Sequence, residues 1–356
     1  MKIALDRSHG GAAPEGLLDF SASLNPLGPP REAIDAYHAA AKKIAAYPPA
    51  HPFELEAKFA ERVGVTPSNV LAGNGSIQLI YLAARVMKAR RAHVVIPTFS
   101  EIANGLALAG SEACSITLRA ENNFKLDLSE IDAALETGTD AIWIGRPNSP
   151  TGAMLSDALI AAIADRCARN HARLVIDEAF IDFAARAKSV ARLVSTHRVV
   201  VLRSLTKSFS IAGLRLGFVI AEPEFIGMLR DSIEPWSVNS AALAVGLACL
   251  DAPPEYLDRT REVVSRERDF LTRELSAIDG IRVFPSSANF LMFEVAHEPS
   301  PSAFAAQVLR HQIVVRDLAA MPGCRSGMYR VAVSMRADNE CLVAAARDAL
   351  ARFRGP

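Results

Sequence analysis

Between about residues 66 and 220 the chain alternates short apolar runs with helical stretches, and this alternation constrains the fold more than any other feature. The runs are residues 92–96, 141–145, 174–176, 199–202 and 218–220. Each is nearly continuous in hydrophobicity, as strands covered on both faces are. Between several of them lie amphipathic stretches, such as residues 157–170, with apolar positions at helical spacing. The implied fold class is α/β, a mostly parallel central sheet flanked by helices. Ligands of such sheets bind beyond the carboxyl ends of the strands. Polar clusters stand at four of those ends: Pro97-Thr98-Phe99, Arg146-Pro147-Asn148-Ser149-Pro150-Thr151-Gly152, Asp177-Glu178 and Ser204-Leu205-Thr206-Lys207. Four consecutive clusters make a site.

Beyond Pro235 the pattern changes. Helical stretches at 240–250 and 254–278 lead into shorter strand-like runs at 281–284, 290–295, 313–316 and 329–334, and a last helix spans 339–353. A length of 356 residues suits a large domain with a smaller α+β partner. The expected division is an arm over 1–35 joining the small domain, a large cofactor-binding domain over 36–238, and a small carboxyl-terminal domain over 239–356. Lys plus Arg and Asp plus Glu both total 39. That balance gives no reason to expect nucleic acid or an acidic membrane surface as partner. The five cysteines are scattered without a CxxC pair, so reduced thiols are expected rather than disulfides or a metal site. The beginning of the sequence lacks an apolar leader and no run is long enough to span a bilayer, so a cytoplasmic protein is expected.

Lys207 has the neighbours of a reactive amine. Ser204 and Thr206 supply hydroxyls just before it, and Arg215 follows eight residues on. Hydroxyls and a guanidinium are phosphate ligands. A lysine beside a phosphate clamp can form an imine with the aldehyde of a phosphorylated cofactor. Asp177 ends the preceding strand, one strand over, where a carboxylate could pair with a protonated ring nitrogen. Gly73-Asn74-Gly75-Ser76 opens a helix whose backbone N–H groups favour an anion, and Phe99 could stack on a ring. Taken singly, each has a plainer reading, as surface lysine, strand-end cap, tight turn and core aromatic.

Taken together, YPPAHPFELE, LAGNGSIQLI, RPNSPTG, DEAFIDF, LRSLTKSFSIAGLRLGF, PWSVNSAA, ANFLMFEV and YRVAV resemble the fold-type I pyridoxal-phosphate enzymes. The likeness runs from about residue 19 to 350 and points to the branch holding histidinol-phosphate aminotransferase and threonine-phosphate decarboxylase. It implies pyridoxal 5'-phosphate held as a Schiff base on Lys207, with Asp177 on the pyridine nitrogen. Ser204, Thr206, Arg215 and the backbone at Gly75 and Ser76 would hold the cofactor phosphate, and Phe99 would stack on the ring. Tyr47 would reach that phosphate from a neighbouring subunit, which implies a homodimer with a shared active site. Arg330 would grip the substrate carboxylate and Asn25 would border the substrate. The chain departs from the family pattern at Ser149, where asparagine usually donates to the cofactor's 3-hydroxyl oxygen, and at Phe180, where aminotransferases commonly carry tyrosine. Serine is shorter, leaving a gap for water or Asn148.

Residue types alone do not choose between breaking the C–H and the carboxylate bond. DFSASLNPLGPP, the His9-Gly10-Gly11 run, DEAFIDF and PWSVN lie closer to the decarboxylase side. The implied reaction converts L-threonine O-3-phosphate to (R)-1-amino-2-propanol O-2-phosphate and CO2, a step toward cobalamin. The alternatives are histidinol-phosphate transamination and decarboxylation of L-serine O-phosphate, the latter because the one methyl group by which it differs is worth only about 1–3 kcal/mol of discrimination. The substrate phosphate would need its own ligands, with His9, Arg316 and Arg336 as candidates. A sensing role would require a fused DNA-binding domain, for which neither the start of the sequence nor its charge gives support.

Overall fold

The structure is a computed structural model that describes residues 3, 9–185 and 187–353. Most of the first eight residues of the expected arm, and the last three residues, lie outside the described set. A two-residue strand, β1 (Leu18–Asp19), comes first. Seven strands follow: β2 (Val70–Asn74), β3 (Arg91–Ile96), β4 (Glu112–Thr117), β5 (Ala141–Gly145), β6 (Arg173–Asp177), β7 (Val199–Ser204) and β8 (Leu216–Ile220). They form one sheet in the order β2-β8-β7-β6-β5-β3-β4. Neighbours run parallel except at β8, which is antiparallel to both β2 and β7.

Every residue of β5, β7 and β8 is buried, because helices cover both faces. Alternate side chains serve two separate cores. Ile142, Ile144, Leu174 and Ile176 point into one, with helices Phe53–Val63, Asp157–Arg169 and Ser240–Asp251. Trp143, Val175 and Val200 point into the other, with helices Gly75–Met87, Glu101–Leu108 and Pro223–Ser232. Each side chain so buried contributes about 1.5–3 kcal/mol of transfer free energy. Local signals place the helix ends: Ser156 accepts from Leu159 N at 3.2 Å, and Asp127 with Glu130 forms a capping box.

The later strands are β9 (Ile281–Val283), β10 (Phe290–Val295), β11 (Ile313–Val314), β12 (Arg316–Asp317) and β13 (Met328–Ala332). Four make an antiparallel sheet in the order β12-β13-β10-β9, and β11 instead pairs in parallel with β1. A third core lies here, fed by Phe290, Phe293, Tyr329, Phe304 and Leu342 and by Phe20 from the arm. The arm bridges the two sheets: Phe20 O accepts from Ala332 N at 2.8 Å, and Asn25 N donates to Lys207 O at 3.0 Å.

The structure differs from the sequence expectation in three respects. β1, β2 and β4 are additional strands. β8 runs against its neighbours. The run expected over 313–316 divides into two strands in different sheets. Among the described residues no helix is long and apolar enough to cross a membrane, and no cluster of three or more His, Cys, Asp or Glu side chains could hold a metal.

The strand order places the site. The chain visits β3, then β4 at the sheet edge, then returns past β3 to β5, β6 and β7. The crevice between the carboxyl ends of β3 and β5 is therefore the switch point where ligands bind. Asn148 stitches its two rims together, donating from Nδ2 to Pro97 O at 2.8 Å and accepting at Oδ1 from Thr98 Oγ1 at 2.7 Å.

Candidate active site

A cavity of about 310 Å³ opens beyond these strand ends. Asp177, Lys207, Thr206, Ser76, Phe99, Ser149, Phe180, Arg215, Arg316, Arg330 and His9 all line it. Residues up to 321 positions apart in sequence thus meet in one place, as the four strand-end clusters foretold.

Lys207 stands in the one-turn helix Leu205–Ser208 that continues β7, and Asp177 ends β6, the adjacent strand. Burial, reinforced by the Arg330 and Arg215 guanidiniums and opposed by Asp177, lowers the Lys207 ammonium to about 8. A larger share of the amine is then neutral and nucleophilic near neutral pH than in an ordinary lysine. Asp177 is pushed the other way, up to about 6, by burial and by Glu178, against the Ala179 N–H and Lys207. Its carboxylate would be relieved by a cationic N–H in the cavity. Behind it Glu178 and Arg146, both fully buried, pair at 2.8 Å and fix the corner after β6.

One end of the cavity suits a phosphate. Helix Gly75–Met87 begins there, with Ser76 and Thr206 on the wall and Arg215 across from them. Gly75 has φ +77, and a Cβ on it would lie 2.7 Å from Arg215 Nη2, so only glycine lets the guanidinium lie against the helix start. Arg215 itself is left-handed at φ 58, an uncommon backbone state for a side-chain-bearing residue and one concentrated at functional sites. Ser204 does not line the cavity. Its hydroxyl sits 2.7 Å from that of Thr206 and is buried behind it. It orients the Thr206 hydroxyl rather than facing a ligand.

Another part of the cavity wall suits a carboxylate. Arg330 on β13 donates from Nη1 to Ser149 Oγ at 2.9 Å and from Nη2 to Ser21 O at 2.7 Å, while its buried Nε has no partner. Burial and the neighbouring Arg316, opposed by Asp19, lower Arg330 to about 10. Arg316 is its register partner on β12. Two guanidiniums directly opposite each other repel, and an anion between them removes that cost. Ser149, expected near a cofactor hydroxyl, therefore also holds Arg330.

His9 sits at the mouth, its ring 5.9 Å from that of Phe99 and its Nε2 2.8 Å from Glu101 Oε1. Three expectations do not hold within the chain. Asn25 is buried away from the cavity, its Nδ2 donating to Ser208 O, Tyr256 Oη and Thr260 Oγ1, so it anchors the arm rather than bordering a substrate. Asn148 is consumed by the stitch between the strand ends and cannot fill the space beside Ser149. Arg336 is held by Glu267 at 2.9 Å, outside the cavity. Tyr47 lies 85% exposed on a separate groove beside Trp236 and reaches nothing in its own chain's cavity. The sequence reading also missed Ser21, Ser23, Ile77 and Met321, which line the cavity, and Glu101, which holds His9. The arm's serines were visible as polar residues in a turn-rich stretch, but nothing local said where they go.

The donor set of one buried lysine, one buried carboxylate, a hydroxyl-guanidinium-helix cup and two aromatic faces fits a phosphorylated aromatic aldehyde with a ring nitrogen. Comparison with known proteins agrees. The profile of the class I and II aminotransferases matches residues 15–347. A threonine-phosphate decarboxylase of Salmonella typhimurium is 36% identical over 96% of this chain and 93% of its own length. A histidinol-phosphate aminotransferase of Methanococcoides burtonii is 31% identical over 95% of this chain and 91% of its own. The histidinol-phosphate aminotransferase of Sinorhizobium meliloti, solved in complex with pyridoxal-5'-phosphate, superposes with a TM-score of 0.82 over 93% of this chain and 90% of that one, at 19% identity.

Proposed function

Because the chain belongs to the class I and II aminotransferase family, and so is a pyridoxal-phosphate-dependent enzyme, we propose that it decarboxylates L-threonine O-3-phosphate. The product would be (R)-1-amino-2-propanol O-2-phosphate, with release of CO2, a step toward cobalamin. When bound, pyridoxal phosphate supplies an electron sink for the pair left as a bond to the substrate's α-carbon breaks.

The residues divide that work. Lys207 Nζ would hold the cofactor aldehyde and, once displaced by substrate, carry a proton to or from the α-carbon. Asp177 would hold the proton on the ring nitrogen. Ser76, Thr206 and Arg215, with the N–H groups at Gly75 and Ser76 and with Ser204 behind, would bind the cofactor phosphate. Phe99 would cover one ring face, and Ser149 would face the ring's hydroxyl oxygen. Arg330 would orient the substrate carboxylate through the Nη–H donors that Ser149 and Ser21 leave over.

The observation that carries the reading is that Arg330, its register partner Arg316 and His9 line the same cavity as the cofactor-phosphate cup. The cup accounts for one phosphate, and two arginines on the same cavity add positive charge for the substrate's own anions. L-threonine O-3-phosphate has both a carboxylate and a phosphate; histidinol phosphate has no carboxylate. The decarboxylase relative is also more similar than the aminotransferase relative, at 36% against 31% identity.

The same reading puts Tyr47 at a partner subunit's cofactor phosphate, which makes the enzyme a homodimer; it is proposed to act in the cytoplasm, with domain boundaries near residues 35 and 238. Holoenzyme incubated with threonine phosphate should release CO2 without forming glutamate. Glutamate formed from 2-oxoglutarate and histidinol phosphate, with no CO2 from threonine phosphate, would select the transaminase instead.

A further inference from the structure

Lys207 stands in a helix of only four residues, Leu205–Ser208. A helix end leaves its last carbonyls without partners inside the helix, and here those carbonyls belong to the reactive residue and its neighbour. One residue of the arm meets both. Asn25 N donates to Lys207 O at 3.0 Å, alongside Ser210 N at 3.3 Å, and Asn25 Nδ2 donates to Ser208 O at 2.8 Å. The arm thus caps the turn that carries the lysine.

Asn25 is itself held in one orientation. Its Oδ1 accepts from Leu27 N at 3.0 Å, so a flipped amide would lose that bond and set its oxygen against Ser208 O. Besides Ser208 O, its Nδ2 reaches Thr260 Oγ1 at 2.8 Å and Tyr256 Oη at 2.9 Å. Each of those hydroxyls spends its own hydrogen elsewhere. Thr260 Oγ1 donates to Tyr256 O at 2.8 Å, and Tyr256 Oη donates to Gly28 O at 2.6 Å. Both are left as acceptors, and the two amide hydrogens are shared among three oxygens. Tyr256 and Thr260 lie one turn apart on helix Pro254–Ser276, and the Tyr256 ring stacks on Phe209, just past the lysine's turn, at 5.4 Å. Asn25 and Thr260 are buried, and neither they nor Tyr256 lines the cavity. This network reaches the site through the backbone of Lys207 and Ser208.

We propose that Asn25 is a positioning residue for Lys207: from the arm it caps the carbonyls of Lys207 and Ser208, and with Tyr256 and Thr260 holding its amide it fixes where the lysine amine stands in the cavity. The inference rests on Lys207 as the cofactor-bearing amine and on no particular substrate. A lysine's flexible stem otherwise samples many positions, and reactivity falls steeply when a reacting atom sits even ~1 Å out of place.

The test compares Asn25→Ala with wild type in two readings that need no substrate. Cofactor-free full-length chain is mixed with pyridoxal phosphate and uptake is followed by absorbance; the variant should take it up about tenfold more slowly. The loaded protein is then titrated with acid and base, and the pH midpoint of its colour change should move by about half a unit or more, because the bound amine meets the site's charges from a new position. A variant that melts at lower temperature yet keeps both the uptake rate and the midpoint of wild type would show that Asn25 serves the fold alone, and would overturn the proposal. Should Asn25→Ala fail to fold, Thr260→Val decides, since it keeps the shape of the side chain and removes one oxygen that holds the amide. A smaller change in the same two readings supports the proposal, and no change overturns it. Wild-type protein that takes up no cofactor on Lys207 would sink the reading of the lysine and this inference with it, whereas normal uptake with unchanged variants removes only the inference.

Discussion

At the scale of single residues the site is a set of charges held away from their ordinary values. Asp177 shows what this does to the protein before cofactor binds. Its folded carboxyl titrates near 6, raised by burial, whereas the unfolded one titrates near 4. The native state therefore binds more protons than the unfolded state between those values, and stability falls as pH rises through that window. Cofactor-free Asp177→Asn lacks that loss, so at pH 7 it should melt several degrees above cofactor-free wild type and match it near pH 3.5 by calorimetry. With cofactor bound the order should reverse at pH 7, because the variant loses the partner of the ring nitrogen. Much of this scale was legible in the sequence. Lys207, Asp177, Thr206 and Arg215 stand at the ends of strands that announce themselves by hydrophobicity, and their chemistry lies in the side chain. What was not legible depends on contacts across long separations or on the backbone. Ser21 acts on Arg330 through its carbonyl, 309 residues away, and Glu101 meets His9 across 92. Asn25 is the converse, a polar residue in a suggestive place whose donors are already committed.

At the scale of elements, two junctions do most to shape the cavity. One is the start of helix Gly75–Met87, where the absence of a Cβ at Gly75 lets Arg215 close on the helix terminus. Gly75→Ala introduces both that clash and a left-handed alanine, which costs about 1–2 kcal/mol. The expected result is a melting point lowered by several degrees, together with about tenfold weaker cofactor binding in a fluorescence titration. A stability loss with unchanged cofactor affinity would remove Arg215 and this helix start from the phosphate cup. The other junction is the β3/β5 crevice. The sequence indicated its rims but not the order of strands around it. β4 was missed because EACSIT mixes small, polar and apolar residues with only partial burial, as an edge strand can. β2 was missed because VLAGN runs straight into the glycine turn. The reversed direction of β8 has no local signature, since Leu216–Ile220 is buried on both faces like its parallel neighbours.

For the whole molecule, the single chain leaves Tyr47 exposed beside Trp236, on grooves lined by Ala36, Ala40, Leu243 and Leu247. Small apolar residues on paired helices make a surface that a second copy could cover. The homodimer reading gives a mass near twice 38.2 kDa by light scattering at micromolar concentration. It also gives Tyr47→Phe a roughly tenfold loss of cofactor affinity, with the dimer intact. A monomer, or a Tyr47→Phe variant that binds cofactor as tightly as wild type, would leave each site to be completed within its own chain.

All of these expectations depend on Lys207 as the residue that carries the cofactor. Reduce the holoenzyme with borohydride, digest it and locate the adduct by mass spectrometry. The account predicts loss of the yellow colour and a single phosphopyridoxyl adduct on the peptide containing Ser-Leu-Thr-Lys207, absent from Lys207→Ala. An adduct on any other lysine, or a protein that takes up no cofactor, would contradict it.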